Sequence, residues 1–310
     1  MFAIEYHIIV IYRGAAANVV SVHNSLKILK KLYTMIVKLI LCLIVVVRAN
    51  PANNECKEVH LNNKPHKKIV IGMGLNRPYQ LAYDHKEHKV FFSYNIGNDT
   101  EDTFQIGYIK KDHIKHEDVP DVKNGFAIAV DNKDNIIFFG GSDGIYEQHL
   151  KPNSTVKKIV SNHNIWDMFF KHHLYFINYP NQHLYKCIRG KHGVETEHQR
   201  HIHEKIYQFV IDGDDDTFIT NETGLYRIKN DTDHRIFYGE PTIFRAIEVN
   251  NKGVAYFSAK DGIYVANKTS NTLEIVARMK NIFGLAFDKD DNIIYSSPYE
   301  IIKLLPERCK

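Results

Sequence analysis

The sequence has few of the residues and motifs that mark common enzyme classes. Its 310 residues include four cysteines, nine prolines and one tryptophan. It contains no CxxC pair, no GxSxG nucleophile motif and no glycine-rich phosphate-binding loop, so thiol redox, serine hydrolase and nucleotide-dependent chemistry lack their usual signatures. The apolar content of 44% excludes wholesale disorder, and the length is sufficient for a sizeable core.

A strong excess of one charge is also missing. The chain has 40 Lys and Arg against 36 Asp and Glu, but residues 1–49 hold six of the basic residues and one of the acidic residues. The rest of the chain therefore has 34 basic and 35 acidic side chains. Binding of nucleic acid without sequence preference requires a basic surface. We expect no nucleic-acid partner.

Long apolar runs are absent except near the N-terminus. Lys38 precedes nine uncharged apolar residues, 39–47, and Val47-Arg48-Ala49 suits a cut after Ala49. This is the pattern of a secretory signal, and nine residues are too few to span a bilayer. The sequence predicts a leader and signal peptide at 1–49 and one secreted domain at 50–310, free of the membrane after cleavage. The alternative is an uncleaved anchor. Residues 1–34 have no clear role, and translation from Met35 would give an ordinary signal peptide.

Secretion gives meaning to the sequons and cysteines that follow. Five N-x-[ST] sequons predict a glycoprotein surface. Their asparagines are Asn98, Asn153, Asn221, Asn230 and Asn267. Three cysteines remain beyond the signal, at 56, 187 and 309, and an oxidising compartment favours pairing two of them.

One pattern recurs six times beyond residue 78. Each unit has an apolar run ending in Asp or a substitute, a polar turn, a second apolar run and a loop of small residues. The residues that end the first run are Asp84, Asp131, Lys171, Asp212, Asn250 and Asp288, at spacings of 47, 40, 41, 38 and 38. Short β-branched and aromatic runs bounded by Asp, Asn and Gly indicate strands. Four antiparallel strands per unit predict an all-β, six-bladed β-propeller, whereas a β-sandwich would not need six similar units.

Closure of the ring is also predictable. The sixth unit ends after its third strand at residues 301–305, and an unassigned strand, residues 68–71, precedes the first unit. We expect this N-terminal strand to complete the last blade, because closure removes both open sheet edges. Closure would bring Cys56 and Cys309 together. We predict a disulfide between them, which would stabilise the fold by about 4 to 5 kcal/mol on the loop-entropy model, and Cys187 would remain a buried free thiol.

The residues five positions before the six anchors predict a ligand site. They are Tyr79, Phe126, Trp166, Tyr207, Arg245 and Phe283. The first strand of a blade lines the central channel, so these residues lie ~16 Å from the anchors, near one mouth. We name this set the collar. It suits a flat conjugated ligand held by stacking, with Arg77 and Arg245 available for an acidic group.

Two alternatives limit this interpretation. The collar aromatics can instead pack between blades, in which case the following residues face the channel; these are Gln80, Ala127, Asp167, Gln208, Ala246 and Gly284. Six-bladed propellers also include calcium-dependent lactonases and esterases, but of Gln80, Asp167 and Gln208 only one is a charged calcium ligand. The aspartate-rich turn at 212–216 lacks the Glu of an EF-hand, and the histidines near 172 and 201 lack zinc spacing. We interpret these as a solvated turn and exposed loops.

Several segments resemble the ommochrome-binding protein family of moth and butterfly haemolymph. They are residues 76–84 with 90–94, 124–127 with 140–146, 164–167, and 283–288 with 293–296, and the resemblance extends in order over residues 56–306. It implies a secreted monomeric carrier, without enzymatic activity or cofactor, for ommochromes such as xanthommatin, which are planar phenoxazinone pigments with acidic groups. The leader and the third unit, with Lys171 in place of Asp, depart from the pattern.

Overall fold

The computed structural model describes residues 31–35, 57–98, 100–239 and 243–307. The chain divides into two compact units, residues 1–55 and 56–310. In the first, residues 31–35 are helical and exposed. The predicted cut after Ala49 and both cysteines of the predicted disulfide, Cys56 and Cys309, lie outside the described residues.

The described part of the second unit is all-β and forms a six-bladed β-propeller, as predicted. Blade 1 contains β3 (Tyr79–Asp84), β4 (Lys89–Asn95), β5 (Phe104–Ile109) and β6 (Glu117–Asp118). Blade 2 contains β7 (Ala127–Asp131), β8 (Ile136–Gly141), β9 (Gly144–His149) and β10 (Lys157–Ser161). Blade 3 contains β11 (Asn164–Lys171), β12 (His173–Tyr179), β13 (Leu184–Gly190) and β14 (Gly193–His198).

The second half of the ring continues the same antiparallel order. Blade 4 contains β15 (Gln208–Ile211), β16 (Thr217–Asn221), β17 (Gly224–Ile228) and β18 (Arg235–Gly239). Blade 5 contains β19 (Ala246–Val249), β20 (Ala255–Ser258), β21 (Gly262–Asn267) and β22 (Thr272–Arg278). Blade 6 contains β23 (Leu285–Phe287), β24 (Ile293–Ser296), β25 (Glu300–Leu305), β2 (Lys64–Met73) and β1 (Glu58–Leu61). The first strand of each blade contacts the first strand of both neighbours, which closes the ring.

The N-terminal strand closes the last blade as the sequence predicts. β2 pairs antiparallel with β25 from Lys67 opposite Leu305 to Met73 opposite Glu300. The repeat pattern did not predict β1, which pairs outside β2 and gives blade 6 a fifth strand.

The second strand of each blade supplies the packing between blades. Its central position holds a large buried residue, which in order is Phe92, Phe139, Phe176, Ile219, Phe257 and Tyr295, none more than 3% exposed. The next position is small in five of the six blades, as at Ser93 and Gly140. At Gly140 an added Cβ would lie 2.5 Å from Ile165 of the next blade. This alternation of large and small residues explains why the six units share a sequence pattern.

In five of the six blades the anchor, an Asp or in blade 5 an Asn, caps the turn between the first two strands. Asp84 Oδ1 accepts from the backbone N of Lys86 at 2.8 Å, and Asp131 Oδ1 accepts from that of Lys133 at 3.0 Å. Blade 3 departs from this rule because His172 alone connects β11 to β12, with φ 58°. A connection of one residue has no polar turn that needs a cap. This explains why Lys171 can stand at the anchor position of blade 3.

The sequons lie in strand connections. Asn153, Asn230 and Asn267 stand at or after the end of a third strand, and Asn98 and Asn221 at or after the end of a second strand. Because strands alternate in direction, the first three lie on the face opposite the collar and the other two on the collar face. Among the described residues, no helix combines the length and apolar character needed to cross a membrane.

Candidate functional site

A cavity of about 700 Å³ opens where the inner strands begin. We call it the mouth cavity. Eight of the ten predicted site residues line it: Tyr79, Gln80, Phe126, Trp166, Tyr207, Gln208, Arg245 and Phe283. These side chains come from all six blades. The other two, Arg77 and Asp167, do not line it.

Two β-bulges shape the entrance. In β3, Tyr79 pairs with Ser93 and Leu81 pairs with Phe92, so Gln80 is an extra residue, and its φ is 23°. In β11 the register shifts between Ile165 and Asp167, which leaves Trp166 as the extra residue. A bulge breaks the alternation of side chains and re-aims them. The adjacent residues Tyr79 and Gln80 therefore both line the mouth cavity, which sequence alternation would forbid.

The collar rings form a connected arc. The ring of Tyr79 lies 5.5 Å from Phe283 and 5.8 Å from Phe126, measured between centroids. Phe126 stacks on Trp166 at 5.4 Å, and Trp166 stacks on Tyr179 at 5.9 Å. The rings thus pack across blade boundaries and also line the cavity. The sequence left open whether the collar aromatics pack between blades or face the channel, and they do both in part.

Trp166 is anchored at its nitrogen and open at its face. Its indole Nε1 donates to the backbone oxygen of Tyr207 at 2.8 Å, although the residue is 38% exposed. Tyr207 is 40% exposed. Fixed rings with exposed faces are suited to stacking on a planar molecule at little entropic cost.

The two predicted arginines have different surroundings. The guanidinium of Arg245 lies over the ring of Phe283, 4.6 Å from its centroid, and pairs with no carboxylate of the described residues. Arg77 is engaged: its Nη2 donates to Asp102 Oδ1 at 2.7 Å, and it lies beside the mouth cavity rather than in it. We therefore correct the expectation that both arginines are available to a ligand, because the charge of Arg77 is already partnered.

Asp167 lies beneath the cavity. It is 5% exposed, and its Oδ1 accepts from Gln80 Nε2 at 3.1 Å while its Oδ2 accepts from the backbone N of Phe209 at 3.3 Å. It thus joins blades 1, 3 and 4 across the channel. Burial raises the pKa of Asp167 to about 7, against the opposing effect of its hydrogen bonds. The expectation that Asp167 faces a ligand is corrected: it does not line the cavity, and it accepts a hydrogen bond from Gln80, which does line it.

The cavity also contains residues that the repeat pattern did not single out. They are Asp102, Phe104, Asn124, Asn164, Ile165, Tyr179 and Phe244. Phe104 and Tyr179 border the connections between second and third strands, whose lengths differ between units, so the anchor spacing does not reach them. Asn124 and Asn164 each stand two positions before a collar aromatic, but so does Asn281, which does not line the cavity, so this spacing alone does not identify a lining residue.

The aspartate-rich turn is held by cations from neighbouring blades. Lys268 Nζ lies 2.9 Å from Asp214 Oδ2 and 3.0 Å from Asp216 Oδ2, and it also contacts Asp212. Lys171 Nζ lies 2.6 Å from Asp215 Oδ1. The expectation of a merely solvated turn is corrected, because these ion pairs tie blade 4 to blades 3 and 5.

The remaining candidates from the sequence are the histidines and Cys187. His172, His173, His201 and His203 are exposed. His198 is half-buried in β14 and stacks on His183 at 4.9 Å, so it is not a loop residue. Within the described ranges, no three His, Cys, Asp or Glu side chains are grouped to hold a metal ion. Cys187 is buried with no disulfide partner in the described part of the chain, and burial raises its pKa to about 12.

Comparison with known proteins connects this geometry to a family. The Ommochrome-binding protein of Manduca sexta is 30% identical over 258 residues, which cover 81% of this chain and 92% of that protein. The chain belongs to the ommochrome-binding protein family. No protein-family model matches it.

Solved structures of distant proteins share the propeller fold of this chain. A gluconolactonase from Xanthomonas campestris superposes with a TM-score of 0.61 at 9% identity, covering 81% of this chain and 96% of that chain. Streptogramin B lyase gives a TM-score of 0.52 at 14% identity, covering 80% and 97%. At such low identity these similarities support the propeller fold and say nothing about activity.

Proposed function

We propose that this protein is a secreted carrier that binds a planar aromatic pigment of the ommochrome type, without a covalent bond, in the mouth cavity. The observation that carries the proposal is the arc of collar rings, which surrounds a cavity of about 700 Å³. Pockets of 300 to 1,000 Å³ commonly hold small organic ligands. The relative that shares most of the chain's length is named for binding ommochrome.

The cavity offers a complementary group for each part of such a pigment. The faces of Trp166 and Tyr207 are exposed for stacking, and Arg245 is free of carboxylate partners among the described residues. A guanidinium next to aromatic faces can pair with an acidic substituent while the rings hold the planar body. We propose binding rather than catalysis as the activity.

Secretion into haemolymph is part of the proposal. It is supported by the signal-like segment that ends at Ala49 and by five sequons. The three described on the face opposite the collar, at Asn153, Asn230 and Asn267, would carry glycans without covering the mouth cavity.

Replacement of the central collar residue tests this function. In Trp166→Ala we expect xanthommatin to bind at least about tenfold more weakly, because an aromatic anchor that a ligand covers on binding contributes more than about 1.4 kcal/mol. Binding is measured by equilibrium dialysis with detection of pigment absorbance, since the variant has no tryptophan to report fluorescence.

The matched control is Phe237→Ala. Phe237 is a 46% exposed aromatic on β18, outside the mouth cavity, and its loss should leave pigment affinity within about twofold, as for surface changes away from a site. Equal affinity of wild type and a folded Trp166→Ala variant would move the site elsewhere. Failure of the wild-type protein to bind xanthommatin would refute the proposed function.

A further inference from the structure

The floor of the mouth cavity is made of two glutamines. Gln80 follows Tyr79 on β3, and Gln208 follows Tyr207 at the start of β15; both line the cavity. They lie one residue further along the inner strands than the collar rings. A planar ligand that stacks on the collar therefore points one edge at these two amides.

Both amide groups are fixed by their nitrogens. Gln80 Nε2 donates to Asp167 Oδ1 at 3.1 Å, and Gln208 Nε2 donates to the backbone oxygen of Arg245 at 2.9 Å. A carboxylate and a backbone carbonyl only accept hydrogen bonds. The orientation of each side chain is thus determined, and each presents its carbonyl oxygen away from that partner.

The amide oxygens are left without partners. Gln208 Oε1 is buried and has no hydrogen bond. A buried acceptor without a donor carries a free-energy penalty, which a ligand donor would relieve. Gln80 Oε1 is not buried in this way, but no described residue donates to it, so it is also available to a ligand donor. The backbone of Gln80 also has a φ of 23°, a sparsely populated conformation of the kind that clusters at ligand sites.

We propose that the two glutamine oxygens select ligands whose inner edge carries N–H or O–H donors, with Asp167 as the residue that positions Gln80. This inference rests on the proposed function and names the ligand chemistry of the same cavity. A planar aromatic with amino, imino or phenolic groups on one edge and an acid on the opposite side fits both the floor and Arg245. An aromatic of the same shape without edge donors leaves both oxygens unpaired.

Two neutral probes isolate the donor. Phenoxazin-3-one has no N–H or O–H group, and 2-aminophenoxazin-3-one adds one amino group to the same ring. We expect wild type to bind the amino probe about tenfold more tightly, the ratio that one satisfied buried acceptor typically gives. In at least one of the variants Gln208→Leu and Gln80→Leu, the affinities for the two probes should differ by no more than about twofold. Each variant should still bind phenoxazin-3-one as tightly as wild type does, which shows that the cavity is intact.

The role of Asp167 has its own readout. Protonation lets its carboxyl group donate to Gln80 Oε1, which turns the amide and presents nitrogen to the cavity. The groups that face Asp167 are Gln80 and the backbone N–H groups of Phe209 and Met168, and the carboxyl group that couples to it electrostatically is Glu248. Burial raises the pKa of Asp167 to about 7. The preference of wild type for the amino probe should therefore fall several-fold from pH 8 to pH 5.

Two variants separate this effect from other titrations. In Asp167→Asn the preference should not change with pH, whereas in Glu248→Gln it should change as in wild type. Equal binding of the two probes by wild type, or a preference that survives both leucine variants, would overturn the inference while leaving a pigment carrier in place. Failure to bind either probe while xanthommatin binds would also overturn it. Failure of all three ligands would refute the proposed function itself.

Discussion

At the scale of single residues, two acids in the channel, Asp167 and Glu248, each make the stability of the fold depend on pH. Glu248 on β19 lines a second cavity of about 300 Å³, beyond the floor of the first. Its Oε1 accepts from the backbone N of Val249 at 2.9 Å. Burial raises the pKa of Glu248 to about 8, and the nearby charge of Asp167 raises it further. Both carboxyl groups therefore ionise at a cost that the unfolded chain does not have.

The sign of the pH dependence follows from these shifts. A carboxyl group with a raised pKa in the folded state binds more protons when folded than when unfolded, so stability falls as pH rises between the two pKa values. For Glu248 the window runs from about 4.5, the ordinary value, to about 8. The free energy of unfolding should fall by about 3 kcal/mol from pH 5 to pH 8 through this residue.

The variant Glu248→Gln tests this assignment. Glutamine keeps the acceptor for Val249 and has no charge, so we expect a higher melting temperature than wild type at pH 8 and a small difference at pH 5. Thermal unfolding followed by circular dichroism at both values measures it. A control, Glu222→Gln, changes an exposed carboxyl group and should leave the pH dependence unchanged. A Glu248→Gln protein with the wild-type pH dependence would show that this residue ionises freely in the fold.

The sequence predicted the identity of the collar residues better than their partners. Spacing from the anchors located eight side chains that the mouth cavity brings together. It did not predict the pair between Arg77 and Asp102, which are 25 positions apart and meet only because the loop after β4 folds back. Side-chain charge is visible in a sequence, but the neutralisation of one charge by another depends on the loop conformation.

At the scale of elements, the seam between β23 and β3 positions the first collar ring. Gly284 stands just before β23, and a Cβ there would lie 2.9 Å from Leu81 Cγ, 2.9 Å from Ser296 Oγ and 3.3 Å from the backbone carbonyl carbon of Tyr79. Ser296 Oγ in turn donates to the backbone oxygen of Pro78 at 2.7 Å. The absence of a side chain at 284 thus lets blade 6 approach the bulged start of blade 1.

The variant Gly284→Ala should disturb this seam. Overpacking of a closed interior costs about 1 to 3 kcal/mol, and the displaced Tyr79 backbone should weaken xanthommatin binding as well. Chemical denaturation and the dialysis assay report the two effects. The matched control is Gly190→Ala, since the nearest atom to a Cβ there is 3.6 Å away. Wild-type stability and affinity in Gly284→Ala would mean that the seam adapts without moving Tyr79.

The regular parts of each blade were predictable, and the irregular parts were not. Asp or Asn anchors repeat in five blades because the turn that follows them needs a cap, and paired large and small residues repeat because each blade packs on the next. The bulges at Gln80 and Trp166 have no comparable signal, because a bulge is one extra residue whose effect depends on the partner strand. The phase of side chains at the mouth was therefore undetermined by alternation alone.

At the scale of the whole molecule, closure depends on a strand from the beginning of the chain. β2 covers β25, whose sequence EIIKLL is mostly apolar and buried. β2 itself carries Pro65 and three lysines, at positions 64, 67 and 68. Prolines and lysines are residues that protect exposed sheet edges from pairing with other molecules. Removal of β1 or of both strands should therefore have different consequences.

Two deletions distinguish closure from simple loss of contacts. Without residues 57–61 the protein loses the buried side chains of Val59 and Leu61, and we expect a lower melting temperature but the wild-type elution volume on size-exclusion chromatography, because β2 becomes a protected edge. Without residues 57–73 the apolar edge of β25 is open, and we expect aggregation on size-exclusion chromatography. Addition of a peptide of residues 64–73 should restore the wild-type elution volume. A 57–73 deletion that elutes as wild type does and unfolds no earlier than the shorter deletion would show that the other five blades hold the ring without the N-terminal strand.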